Sequence, residues 1–127
     1  MPSYFEPSRT ALAAHVHDNL IGGDAVNAVT ESIVLDTGNL KRGAVLGRIT
    51  ANGKFVLSAS AAADGSQTPV AILAEDADAT SADQVTVAYL TGEFNASALT
   101  LGAGHTIASI TEGLRDRGIF LKTNHAF

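Results

Sequence analysis

Asn52-Gly53 stands between two short apolar runs, Arg48-Ile49-Thr50 before it and Lys54-Phe55-Val56-Leu57 after it. An Asn-Gly pair in that setting marks a β-hairpin, because both central positions of a two-residue turn favour positive φ. The rest of the chain follows the same rhythm. Residues 29–35 form an apolar run closed by Asp36-Thr37-Gly38-Asn39. Residues 44–50 form another, with Val45 and Ile49 on one face and Leu46 and Arg48 on the other. Pro69 opens the continuous run Val70-Ala71-Ile72-Leu73-Ala74, which reads as a buried strand. Residues 58–65 read as a loop, and the acidic residues 75–83 as turn-like. Val85, Val87 and Tyr89 alternate with Thr86, Ala88 and Leu90, and Gly92 and Asn95 are expected to end that region. The pattern predicts a mainly β fold.

Helical periodicity is found at residues 106–117, where Ile107, Ile110 and Leu114 fall on one stripe. Arg115 and Arg117 suit the negative end of the helix dipole, and Gly118 is placed to cap it. Gly113 weakens the interior. At the other end, Pro2 and Pro7 argue against a helix, and Gly22-Gly23-Asp24 reads as a turn. Residues 1–20 are therefore expected to be an extended N-terminal arm, and residues 21–127 a single β-rich domain with one short C-terminal helix.

At 127 residues, a chain this size sustains one core. Its hydrophobes are mostly small, with no tryptophan and 6% aromatics. Burial stabilises by about 25 cal/mol per Å², so a core of small side chains implies one of two things, a marginally stable monomer or a protomer that completes its core by assembly. The net charge is −5, and Lys41-Arg42 is an isolated basic pair. Nucleic-acid affinity rests on clustered cations, so no nucleic-acid partner is expected. Without cysteine there are no disulfides and no thiolate metal sites. No run approaches the length of a membrane-spanning helix, and residues 1–10 lack the apolar core of a secretory signal. Folding in the cytoplasm is expected.

Several residues invite a chemical reading. Asp76-Ala77-Asp78-Ala79-Thr80 matches the D-x-D-x-T pattern of haloacid-dehalogenase-like phosphatases, in which one Asp is the nucleophile and the next an acid/base. Such enzymes need helices between parallel strands, whereas this chain offers one helix, at the far end. The simpler reading is an acidic loop. His15 and His17, with Asp18, could gather a metal, but three near-consecutive ligands on an arm make a poor site. His105 has no Ser or Asp at motif spacing, and Gly102-Ala103-Gly104-His105-Thr106 lacks the lysine of a phosphate loop. Asn95-Ala96-Ser97 matches a glycosylation sequon, which means little without a secretory signal. The expectation is no catalytic residue, no cofactor, no metal and no small-molecule substrate.

Four segments taken in order carry a resemblance. They are Asn39-Leu40-Lys41-Arg42-Gly43-Ala44-Val45-Leu46-Gly47-Arg48, Ala63-Asp64-Gly65-Ser66-Gln67-Thr68-Pro69-Val70-Ala71-Ile72-Leu73, Tyr89-Leu90-Thr91-Gly92-Glu93-Phe94-Asn95 and Leu114-Arg115-Asp116-Arg117-Gly118-Ile119-Phe120-Leu121-Lys122. Together they resemble the head decoration protein family of lambda-like tailed phages. The resemblance implies a compact β-clip-like domain and a homotrimer on the outer surface of the expanded capsid. Its partner would be the major capsid protein, and its task to hold the shell against DNA pressure. It also implies an arm that orders on the shell. Tyr4 and Phe5, the arm's aromatics, are the expected side-chain anchors, with Ser3, Glu6 and Pro7 beside them. The alternatives are the phosphatase reading of Asp76 and Asp78, and a structural subunit of another phage assembly such as a tail tube.

Overall fold

The computed structural model describes residues 20–23 and 28–123. The elements run β1 (Ile21–Gly23), β2 (Val29–Leu35), β3 (Asn39–Leu40), β4 (Val45–Arg48), β5 (Phe55–Leu57), β6 (Pro69–Leu73), β7 (Ala77–Asp78) and β8 (Gln84–Asn95). A 3-10 turn at Ala96–Ala98, helix α1 (Ile107–Arg115) and β9 (Ile119–Lys122) complete them. The fold is mainly β with one short α-helix near the C-terminus, as the sequence pattern predicts.

The central strand is β8. It pairs antiparallel with β2 along one edge, from Val29↔Thr91 to Leu35↔Gln84. At Ala88 and Tyr89 its other edge takes β6. Around Glu93 and Phe94 it is flanked by β1 and β9. β4 pairs with both β5 and β6, and β5 returns to β2 through the single pair Leu35↔Phe55. The path β8-β2-β5-β4-β6 thus closes on itself.

Two apolar clusters follow from that closure. Ile33, Leu35, Leu46, Phe55, Ala71, Leu73 and Ala88 fill the inside of the ring. Leu20, Val45, Ile72, Phe94 and Ile119 pack with Ile110 and Leu114 of α1 in the second cluster. Successive side chains of a strand point to opposite faces, so Val45 and Leu46 enter different clusters, as do Ile72 and its neighbours Ala71 and Leu73. This is why residues 70–74 read as a continuous apolar run. It also revises the expectation for residues 44–50: both faces of β4 are buried until Arg48 reaches solvent.

Thr106 starts α1 with a capping box. Its Oγ1 accepts from the N–H of Ser109 at 3.1 Å, and Ser109 Oγ accepts from the N–H of Thr106 at 2.9 Å. Ile110 and Leu114 are buried while Ile107 is half-buried, and Gly118 turns the chain at φ 87°. Four local expectations change. Gly22 and Gly23 belong to β1 rather than a turn, because a Cβ at Gly22 would sit 3.0 Å from the Phe94 carbonyl carbon. Gly92 does not end β8, because Gly92 N–H donates to Gly118 O at 3.1 Å and β9 carries the pairing on to Asn95. The Asn52-Gly53 hairpin forms, but with a longer loop. Ile49 N–H donates to Lys54 O and Gly53 N–H to Ile49 O, both at 2.8 Å, so residues 50–53 make the turn and Gly53 takes φ 74°. Within the acidic segment, β7 pairs with β3.

Candidate functional site

Asp76 and Asp78 flank Ala77 at the start of the β3–β7 pair. Asp76 Oδ1 accepts the backbone N–H of Arg42 at 2.8 Å, and Lys41 Nζ lies 4.0 Å from its other oxygen. Arg42 reaches past it, donating from Nη1 to Ala74 O at 2.8 Å and to the Tyr89 hydroxyl at 3.0 Å. Its guanidinium lies 5.6 Å from the centre of the Tyr89 ring. Asp78 Oδ1 accepts from Thr80 N–H at 3.0 Å and Thr80 Oγ1 at 2.7 Å. The Thr80 hydroxyl bond holds the Asp78 carboxyl below its usual value of 3.8. These are the bonds of an Asx turn and a loop clamp. The same geometry explains the D-x-T half of the pattern that suggested a phosphatase.

His105 does meet a serine. Its Nε2 lies 3.1 Å from Ser58 Oγ, and Ser58 Oγ donates to Ser66 O at 2.6 Å. A hydroxyl has one proton to give. With that proton on Ser66 O, His105 Nε2 must carry its own hydrogen and donate to Ser58. A general base would have to take a proton from the serine, so this arrangement runs the wrong way for nucleophile activation. Ser58 is also fully buried. The contact ties the loop after β5 to the entry of α1, where Ser60 N–H donates to Ala103 O at 2.9 Å. Spacing alone hid this pair, because 47 residues separate its members.

Asn95-Ala96-Ser97 is a third local cap. Asn95 Oδ1 accepts from Ser97 N–H at 3.2 Å and from Ser97 Oγ at 3.0 Å. No group of three or more His, Asp or Glu that could hold a metal is found among the described residues. His15, His17 and Asp18 lie outside the described residues, as do the expected anchors Ser3, Tyr4, Phe5, Glu6 and Pro7.

The root of that segment is built in detail. Leu20 is 2% exposed and packs in the second cluster beside Phe94. Leu20 O accepts from Asn95 N–H at 2.7 Å. On the opposite edge of β8, Lys122 pairs with Asn95 in register. Lys122 Nζ lies 2.5 Å from Oε1 of Glu93, which is 3% exposed. The chain therefore enters and leaves this sheet at one end of β8, on either side of Asn95. Neighbouring strands are about 4.8 Å apart, so the two run-ins are separated by only about two strand spacings. Sequence reading placed no function on Glu93 or Lys122. A lone Glu within an apolar strand was the available signal.

A protein-family model described as bacteriophage lambda head decoration protein D matches residues 12–119. No curated protein matches the chain. The matched stretch takes in β1 to α1 and the start of β9, and it begins downstream of Ser3–Pro7.

Proposed function

Because this chain belongs to the head decoration protein family of lambda-like bacteriophages, whose members are structural capsid proteins, we propose that it sits as a homotrimer on the outer surface of the expanded head and stabilises it against DNA pressure. The family match over residues 12–119 is the observation that carries this reading. The rest is physical support. A trimer seated where shell subunits meet adds contacts that must break before the lattice separates. Three attachment points on one body raise the effective concentration of each, so individually weak contacts suffice. A net charge of −5 suits the outer face, away from packaged DNA.

Residues 2–19 supply the attachment in this proposal, through backbone pairing with the shell and through Tyr4 and Phe5, with Ser3, Glu6 and Pro7 alongside. Leu20, buried and bonded to Asn95, gives that segment a fixed point on the domain. The test is to delete residues 2–19 and mix the product with expanded, undecorated heads. The melting transition should stay unchanged, because Leu20 and β1 remain, while co-sedimentation with heads should fall sharply. Full binding by the shortened protein would move the shell contact onto the folded domain.

A further inference from the structure

The turn at Asn52-Gly53 sets an electrophile beside a nucleophile. Six asparagines occur in the chain, and Asn52 is the one followed by glycine. A side chain after an asparagine crowds its carboxamide, and glycine brings none. Asn52 is exposed, and Gly53 takes φ 74°. Asn52 Oδ1 accepts from Lys54 N–H at 3.0 Å, closing an Asx turn. The ring closed by that bond holds Asn52 Cα, Cβ and Cγ, the Asn52 carbonyl carbon and Gly53 N. Those are the five atoms of a succinimide ring. The turn therefore folds Cγ back toward the amide nitrogen that would attack it.

Two groups favour that attack and one restrains it. Lys54 N–H draws electron density from Cγ and faces the oxygen on which negative charge develops. The Arg48 guanidinium covers Gly53, with Nη2 3.2 Å from a Cβ built on that residue. A cation so placed favours the anion that Gly53 N becomes on losing its proton. The Lys54 ammonium is turned away, toward Asp36 and Asp83. The restraint is the bond from Gly53 N–H to Ile49 O at 2.8 Å, which holds the proton that must leave. Exposed loop tips open locally at far lower free energy than the whole domain.

We propose that Asn52 is a site of self-modification, gated by the Gly53–Ile49 hydrogen bond. When that bond opens, Gly53 N gives its proton to solvent and bonds to Asn52 Cγ. The Cγ–Nδ2 bond breaks, and Nδ2 leaves with a solvent proton as ammonia. Water then adds to one of the two ring carbonyls. Cleavage at Cγ leaves an aspartate, and cleavage at the main-chain carbon leaves an isoaspartyl link. The balance is one water in and one ammonia out. Either product places a new carboxylate beside Arg48. The isoaspartyl link also adds one carbon to the backbone of the turn and displaces Gly53 N–H from Ile49 O.

The test incubates the folded full chain in mildly alkaline buffer, with and without urea below its unfolding transition. Peptide mass spectrometry locates each exchange of ammonia for water, and hydrogen exchange reads the opening of Gly53 N–H. Conversion should occur at Asn52 and should rise in step with Gly53 exchange. It should be severalfold slower in Arg48→Gln, whose circular dichroism stays that of the parent. An Asn52 that stays intact in the folded chain, over a time in which the fully unfolded chain converts, would overturn the proposal, since the turn would then seal the site. Conversion that ignores Gly53 exchange would overturn the gate. A parent-like rate in Arg48→Gln, with Gly53 opening unchanged, would overturn the part given to the guanidinium.

Discussion

Asp64, Asp78 and Asn95 each accept two bonds from the residue two places on, one from its N–H and one from its hydroxyl. Such short polar side chains compete well for nearby backbone donors at turns. Two of the three had a louder reading in the sequence, as part of a phosphatase pattern and as a glycosylation sequon. The spacing was legible; that it served the local backbone was not, because a pattern three residues long does not say whether its oxygen faces inward or out. The bonds have a pH consequence. The Ser66 and Thr80 hydroxyls hold the Asp64 and Asp78 carboxyls below 3.8. Their contribution to stability is fully present above that value and is lost as pH falls through the lower folded values. Thermal melts taken from about pH 5 to about pH 2 should fall less steeply in Asp64→Asn/Asp78→Asn, which keeps an acceptor oxygen but cannot titrate. An unchanged slope would assign the acid sensitivity elsewhere. Thr86 offers a second test at this scale. It is 3% exposed, faces the ring interior beside Ile33, and its Oγ1 has no hydrogen-bond partner. Thr86→Val keeps the shape and removes the unsatisfied hydroxyl, and should raise unfolding free energy by about 1 kcal/mol in urea titration.

Helix α1 was the most legible element, since its stripe, its terminal arginines and the capping Gly118 all lie within a dozen residues. Ile110 and Leu114 are the part of that stripe that reaches the second cluster. Ile110→Ala should cost about 2–5 kcal/mol by denaturant unfolding. A melt matching the parent would show that α1 is not pinned there. Gly113 faces open space, with nothing within 4 Å of a Cβ built on it. Gly113→Ala should therefore stabilise by about 0.5–1 kcal/mol, the helix propensity difference alone. Strands were harder to read where their partners come from far along the chain. Asn95 was legible as the end of β8, but nothing around Gly92 shows that the strand runs through it, because the strand sustaining it there begins at Ile119. β3 and β7 are two residues each and carry no period to detect. Gly22 and Gly23 gave a turn signal, whereas they lie in a strand in which Gly22 packs tightly on the Phe94 backbone.

For the molecule as a whole, the closed path β8-β2-β5-β4-β6 divides the apolar residues into a ring interior and a face covered by α1. Composition suggested a core of small residues. The ring interior bears this out in part, with Ala44, Ala71, Ala77, Ala79 and Ala88 beside three leucines, whereas the helix-covered cluster is built on Leu, Ile and Phe. The order of four sequence segments was enough to indicate the family. It could not indicate the anchors, because residues 3–7 lie outside both the matched stretch and the described residues. One feature now frames the capsid proposal: a run-in fixed at Leu20 and Asn95. The most direct test is an electron cryo-microscopy map of expanded, undecorated heads incubated with the purified chain. The account predicts three-lobed density on the outer face where shell subunits meet, with a strand leading from the Leu20 end of each lobe onto the shell. A bare outer surface at saturating protein, or density confined to the inside of the head or to the tail, would contradict it.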